Sequence, residues 1–238
     1  MNSSSKGNQI PVPKMTPEVF AQSLLFTAYK DYVAARVLIN SSLVIQALTL
    51  ASSAVEKYIK AYLVAVGKKP KQVHLDDLGE LKKQFGAAHQ NVLDQIDPNF
   101  LSILGKAYAY RYFDKKTEVD YIGVSINQIL AELDFTVNFF EDVIELFDHQ
   151  NAEKIDTSYH IDFKAKDKHL VENNYLLEGV SKKEFMERPT VLYSLRINPG
   201  KNLDEQLVLE LLMEHDRIPY EGHVTDGIQI RKKGMKDQ

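Results

Sequence analysis

The stretch SSAVEKYIKAYLVAVGKK, residues 52–69, decides how the fold is read. Ala47, Ala51, Ala54, Tyr58, Ala61 and Ala65 fall on one helical stripe, and Leu48, Val55, Ile59, Tyr62 and Val66 fall on the stripe beside it. Two adjoining apolar stripes make a face too broad for a helix that merely lies on a surface. A helix over residues 42–66 therefore belongs at the centre of a bundle, and its alanines admit a close neighbour. Gly67 supplies a stop and Pro70 a break. Ser53, Glu56, Lys57 and Lys60 lie opposite the apolar stripes, with Glu56 ahead of Lys60 in the favourable order for an ion pair four residues apart. Spacing alone makes them a solvated face.

Outward from this helix the chain stays helical. A first helix is expected after Thr16 with Pro17 at its first position. Its stripe is Leu24, Ala28, Asp31, Ala35 and Leu38. Asp77 with Glu80 forms a capping box for a short third helix whose Leu78, Leu81 and Phe85 face inward. A fourth element spans 98 to about 113. In the fifth, Ile122, Ile126, Ile129, Leu133, Val137, Phe140, Ile144 and Phe147 hold one stripe for seven turns. Helices joined by short links imply an antiparallel four- to five-helix bundle, so the fold class is mainly α. The pattern then changes. Tyr159, Ile161 and Phe163 alternate as in a strand, as do Val191, Tyr193, Leu195 and Ile197; residues 203–215 read as a helix, and Asp226-Gly227 marks a turn before a short strand. The expected division is a mobile tail over 1–15, a bundle over 16–150, and a small α+β unit over 151–238.

Hydrophobic residues make up 44% and charged residues 26% of the 238, an ordinary globular balance. There is no apolar run of membrane-spanning length, and the first fifteen residues lack the apolar core of a signal peptide. The chain has no cysteine, which excludes disulfides and thiolate chemistry and fits a reducing cytoplasm. The net charge is -4, with 15 basic and 17 acidic residues up to residue 150 and 14 and 16 beyond it. Neither part is a basic body that binds nucleic acid through bulk charge, so any phosphate site must be local.

Four strings together carry a resemblance. AYKDYVAARVLI (28–39) has an acidic residue ahead of a small pair. AVEKYIKA (54–61) has the Glu-Lys-x-x-Lys-Ala pattern. HLDDLGEL (74–81) opens the next helix, and AYAYRYFD (107–114) has an Arg-Tyr pair late in the bundle. In this order and spacing they resemble the HEPN domain family, over residues 17–149. The resemblance implies a helical bundle, frequently a homodimer. It also implies nucleotide binding, metal-independent ribonuclease activity of the kind found in toxins, or partnership with a small nucleotidyltransferase. The ribonuclease branch requires Arg, four to six residues, then His. The His would act as acid/base and the Arg would stabilise phosphate charge. Arg111 is followed by YFDKKTEV, which holds no His. Arg217 and His223 have the spacing, but Pro219 and Gly222 between them prevent a continuous helix. Chance gives about 0.5 such matches in a chain of this composition.

The candidate ligand-binding residues are Asp31, Lys57, Lys60, Arg111 and Tyr112, lining a polar cleft between helices; the alternatives are a buried ion pair of Asp31 that only fixes the bundle, and a core or dimer-interface role for the tyrosines around Arg111. Asp31 needs a cationic partner among Arg111, Lys57 and Lys60, because an unpaired buried carboxylate is costly. The Arg111 guanidinium offers a fork for phosphate, and Tyr112 with its aromatic neighbours offers a stacking surface. No catalytic residue, metal site or cofactor is assigned, since the histidines lack ligand spacing. NPGKN (198–202) reads as a turn rather than a phosphate loop, and RKKGMK as a basic tail. The sequence favours a non-catalytic, dimeric bundle that binds a nucleotide, RNA phosphate or a partner protein. A ribonuclease with a non-standard acid/base group and a pure assembly module are the rivals.

Overall fold

The computed structural model describes residues 16–109, 120–147, 153–197 and 207–215. The expected tail over 1–15 and the turn and strand around Asp226 lie outside them. Helix α1, Pro17–Asn40, starts where expected: Thr16 accepts from the Val19 N–H and Pro17 takes the first turn. Residues 41–43 fold the chain back into α2, Val44–Ala65. Gly67 follows it at φ 77°, a conformation an L side chain rarely adopts. Helix α3, Leu78–Phe85, opens with Asp77 accepting from the Glu80 N–H at 2.9 Å, the forward half of the expected capping box. A short 3-10 turn leads to α4, Gln90–Leu93, and α5, Pro98–Ala109, occupies the described part of the fourth element.

Helix α2 is central. Thirteen of its 22 residues are buried, and it packs against α1, α5 and α6, Ile126–Val143. Ala28 and Ala35 of α1 and Ala47, Ala51, Ala54 and Ala61 of α2 are fully buried, which lets the hairpin close tightly. Gly105 in α5 meets a comparable constraint. A Cβ there would lie 2.5 Å from the Asp76 backbone N, so only glycine lets the segment before α3 cross α5.

Three expected elements differ. The stripe beginning at Ile122 is helical only from Ile126, because residues Asp120–Ser125 form strand β1. Residues 159–163 belong to helix α7, Ser158–Ala165, capped by Thr157. Tyr159 and Phe163 are four residues apart, so one spacing serves both periods, and Ile161, which alternation would bury, is 55% exposed. Residues 207–215 are strand β3, Leu207–His215, rather than helix. A leucine-rich apolar run is ambiguous in isolation, and pairing with β2, Thr190–Ile197, decides it. The sheet is antiparallel in the order β1-β2-β3, with Asp120 opposite Ile197 and Ser125 opposite Leu192.

Between α7 and the sheet come three short helices: α8, Lys168–Val171; α9, Tyr175–Glu178; and α10, Lys182–Met186. They do not stand apart from the bundle. Tyr159, Leu170, Tyr175 and Phe185 are buried in one core with α1, α2 and α6. Asn127 of α6 donates to the Phe185, Arg188 and Pro189 carbonyls, and Lys182 meets Glu132 at 2.7 Å.

The strongest tie is Arg36, fully buried on α1. Its guanidinium pairs with Asp134 of α6, equally buried, and Tyr32 donates to the same carboxylate oxygen at 2.8 Å. Its Nε donates to the His169 carbonyl and its Nη2 to those of Leu170 and Glu172. Burial alone would push the Arg36 pKa down, but the adjacent Asp134 carboxylate outweighs it and holds the group well above the ordinary range. Arg36→Met leaves the Asp134 charge uncompensated and should cost about 3–5 kcal/mol in a urea unfolding titration. Arg36→Met/Asp134→Leu should regain most of that loss. Equal stability of the two variants would show that no buried charge had been stranded.

Candidate functional site

Two polar clusters flank the bundle core. The first holds the described part of the expected cleft. Asp31 is not buried on the inward stripe as expected, because the helix turns Tyr32 and Ala35 into the core and leaves Asp31 at the edge. There it pairs with Lys57, which also donates to Ser53 at 3.0 Å; the Lys57 and Asp31 side chains are 30% and 23% exposed. Lys60 pairs with Glu56 at 2.5 Å, as the four-residue spacing implies. Half-exposed pairs of this kind contribute at most about 1 kcal/mol. Their chemical consequence is larger than their stability. Each lysine faces its own carboxylate, so Asp31, Lys57, Glu56 and Lys60 sum to no charge. An anion at this edge requires a further cation. Arg111 and Tyr112 lie outside the described residues. Gly105 of α5, six positions before Arg111 in the chain, lines a small recess of about 50 Å³ with Ser52, Glu56 and His74.

The second cluster was not anticipated. Glu141 on α6 is 1% exposed and accepts from Tyr58 of α2 and from Thr157, each at 2.6 Å. Thr157 Oγ1 lies 3.0 Å from His160 Nδ1, and that nitrogen lies 4.0 Å from Glu141. Nearby, Tyr29 donates to Asp162 at 2.5 Å and Tyr159 donates to Asn138 at 2.8 Å. Burial pushes the Glu141 carboxyl up to about 7, against the lowering effect of the Thr157 and Tyr58 hydrogen bonds. Burial likewise raises the Tyr58 phenol far above its ordinary value. A cavity of about 130 Å³ opens beside Glu141, lined by Phe26, Tyr29 and Thr157 among others. A carboxyl that titrates near neutrality is a credible acid/base group. The cavity is too small for a nucleotide, which needs several hundred cubic ångströms. The arrangement thus holds a proton and joins α2, α6 and the start of α7 without offering a reacting group to a large substrate.

The sequence signal for Glu141 was weak but present: Asp134 and Glu141 are seven residues apart, two helical turns, on the inward side of α6. Arg36 stood in plain view as the one arginine before residue 111, inside an apolar run. Among the described residues, no group of three His, Cys, Asp or Glu side chains could hold a metal ion, and no helix is long and apolar enough to cross a membrane.

A family model, the HEPN domain, matches residues 21–145. The chain belongs to the HEPN family. The match begins inside α1 and ends just after α6, so it takes in β1 as well as the bundle helices. As a HEPN protein it falls among nucleotide-binding or ribonuclease-like helical modules. No curated protein and no solved structure matches the chain.

The HEPN bundle should carry a pH signature from Glu141. Its folded pKa is raised, so its stabilising effect is fully present below the ordinary value of 4.5 and is lost as pH rises through about 7. The melting temperature of wild type relative to Glu141→Gln should therefore fall steadily from pH 4.5 to 7 and level off above it, in a thermal melt series. A constant difference over that window would rule out a carboxyl held protonated there.

Proposed function

We propose that this HEPN protein is a non-catalytic binder of a nucleotide or an RNA phosphate, working as a homodimer in the cytoplasm. The observation that carries the reading is the coupling of HEPN membership to a bundle without the Arg-x4–6-His pattern. Arg111 is followed by no histidine within range, and residues 217–223 lie beyond the matched segment. The ligand site comprises Asp31, Lys57, Lys60, Arg111 and Tyr112. Asp31 and Glu56 hold Lys57 and Lys60 in place while cancelling their charge. Arg111 then supplies the net positive charge and a bidentate fork for a phosphate, and Tyr112 a ring for a base. No cofactor or metal is required. A nucleotidyltransferase-type protein is a further candidate partner that the family resemblance implies.

A ribonuclease would need a different acid/base group. Glu141 has a suitable pKa, but its 1% exposure and small cavity favour a structural role. A pure assembly module would bind no anion at all. Calorimetry of wild type and Arg111→Ala against mononucleotides and short RNA, with RNA integrity followed on a gel, separates the three. The expected outcome is saturable binding by wild type, weakened at least tenfold in Arg111→Ala, with RNA intact. Cleavage lost in Arg111→Ala would overturn the non-catalytic reading, and absence of binding in both proteins would leave the assembly module.

A further inference from the structure

Away from that edge, at the far end of α2, lies a trough of about 500 Å³ lined by Leu63, Lys68, Lys69, Pro70, Lys71, Glu80, Lys83 and Gln84. Residues 57–75 contain five lysines and no acid, an imbalance that the net charge of -4 does not foreshadow. The lysines differ in employment. Lys68 turns inward, donating to the Gln84 carbonyl at 2.9 Å and to that of Phe85, so it closes the C-terminal end of α3. Lys69, Lys71 and Lys83 are exposed, and among the described residues Lys69 and Lys71 have no carboxylate partner. Lys83 has only Glu80 at 3.6 Å, with its own side chain 78% exposed.

The trough is also held in shape. Gln84 accepts from the Lys71 N–H at 3.2 Å and donates to the Gln72 carbonyl at 3.3 Å, fastening the 68–72 loop to α3. Pro70 fixes one dihedral between the two free ammoniums. Gly86 ends α3 at φ 65°, a conformation an L side chain rarely adopts, beside the ammonium of Lys68. A surface charge run on a free loop would show none of this bracing.

We infer that this trough binds the phosphodiester backbone of a single-stranded nucleic acid. Lys69 and Lys71 are the unpaired ammoniums, and Lys83, only loosely held by Glu80 at 3.6 Å, faces them from α3; together they border a space larger than one phosphate fills, which suits a repeating anion rather than a mononucleotide. Lysine is a compact point charge on a flexible stem, so it can follow successive phosphates in sequence-independent fashion. The lining holds no aromatic ring on which a base could stack, and its ammoniums address the phosphates, so RNA and single-stranded DNA should bind alike here. The inference shares only its ligand chemistry with the Arg111 reading, and the two sites can fail separately.

The test is fluorescence anisotropy of labelled oligouridylate and oligothymidylate with the full chain over a salt series, with UMP binding measured in parallel. Each phosphate neutralised on a single strand contributes about 0.7 to the slope of log K against log salt, so Lys69→Ala/Lys71→Ala should flatten the slope by about 1.4 for both oligonucleotides. Lys69→Arg/Lys71→Arg should keep the wild-type slope, and an unchanged melting temperature excludes unfolding. An unaltered slope in the alanine variant overturns the trough even if Arg111→Ala abolishes UMP binding. Wild type that ignores both oligonucleotides but binds oligoglutamate also overturns it and points to an acidic protein partner.

Discussion

The buried contact between Arg36 and Asp134 is the constraint from which the arrangement of the two halves follows. A guanidinium at zero exposure has no water to turn to, so every donor must find an oxygen inside the protein. One side takes the carboxylate of α6, which sets α1 against α6. The other takes the carbonyls of residues 169, 170 and 172, which seats the turn around α8 on the bundle. Desolvating two charges is expensive, so the pair adds little net stability compared with an apolar core. It contributes discrimination instead: a displaced turn or a rotated α1 leaves a charge buried alone.

The bundle was legible because its helices carry one uninterrupted period. The alanine stripe of α2, the Thr16 and Asp77 caps and the stop at Gly67 each rest on local chemistry, and each local choice agrees with the packed result. The C-terminal elements were misread where local pattern allows two answers. Residues 159–163 satisfy both periods, and Thr157 as a helix cap decides for the helix. Residues 207–215 become a strand because β2 is there to receive them, which no window of their own sequence reveals. The same distinction runs through the site. The Glu56–Lys60 pair follows from spacing, and Lys57 was one of three partners considered for Asp31. Arg36 and Glu141 escaped because their partners lie far along the chain, at 134, 169–172 and 157.

The distribution of charge matters more than its amount. At the α1–α2 edge each lysine is answered by a carboxylate, and the edge is electrically quiet. Past Gly67 the lysines run without an acid until Asp76, and structure, rather than opposite charge, holds them together. This HEPN bundle has a lysine-rich end and a charge-balanced flank, although its net charge is negative.

The sheet orders events during synthesis. Strand β1 leaves the ribosome between α5 and α6, yet Asp120 waits for Ile197 and β2 in turn waits for β3. Until then the nascent chain displays an open strand edge next to a finished helical hairpin. Arg36 waits over the same interval for the carbonyls of residues 169–172. Late, long-range closure of this kind slows folding and lengthens exposure to wrong partners. The C-terminal elements therefore complete a core that the helices preceding them cannot close alone.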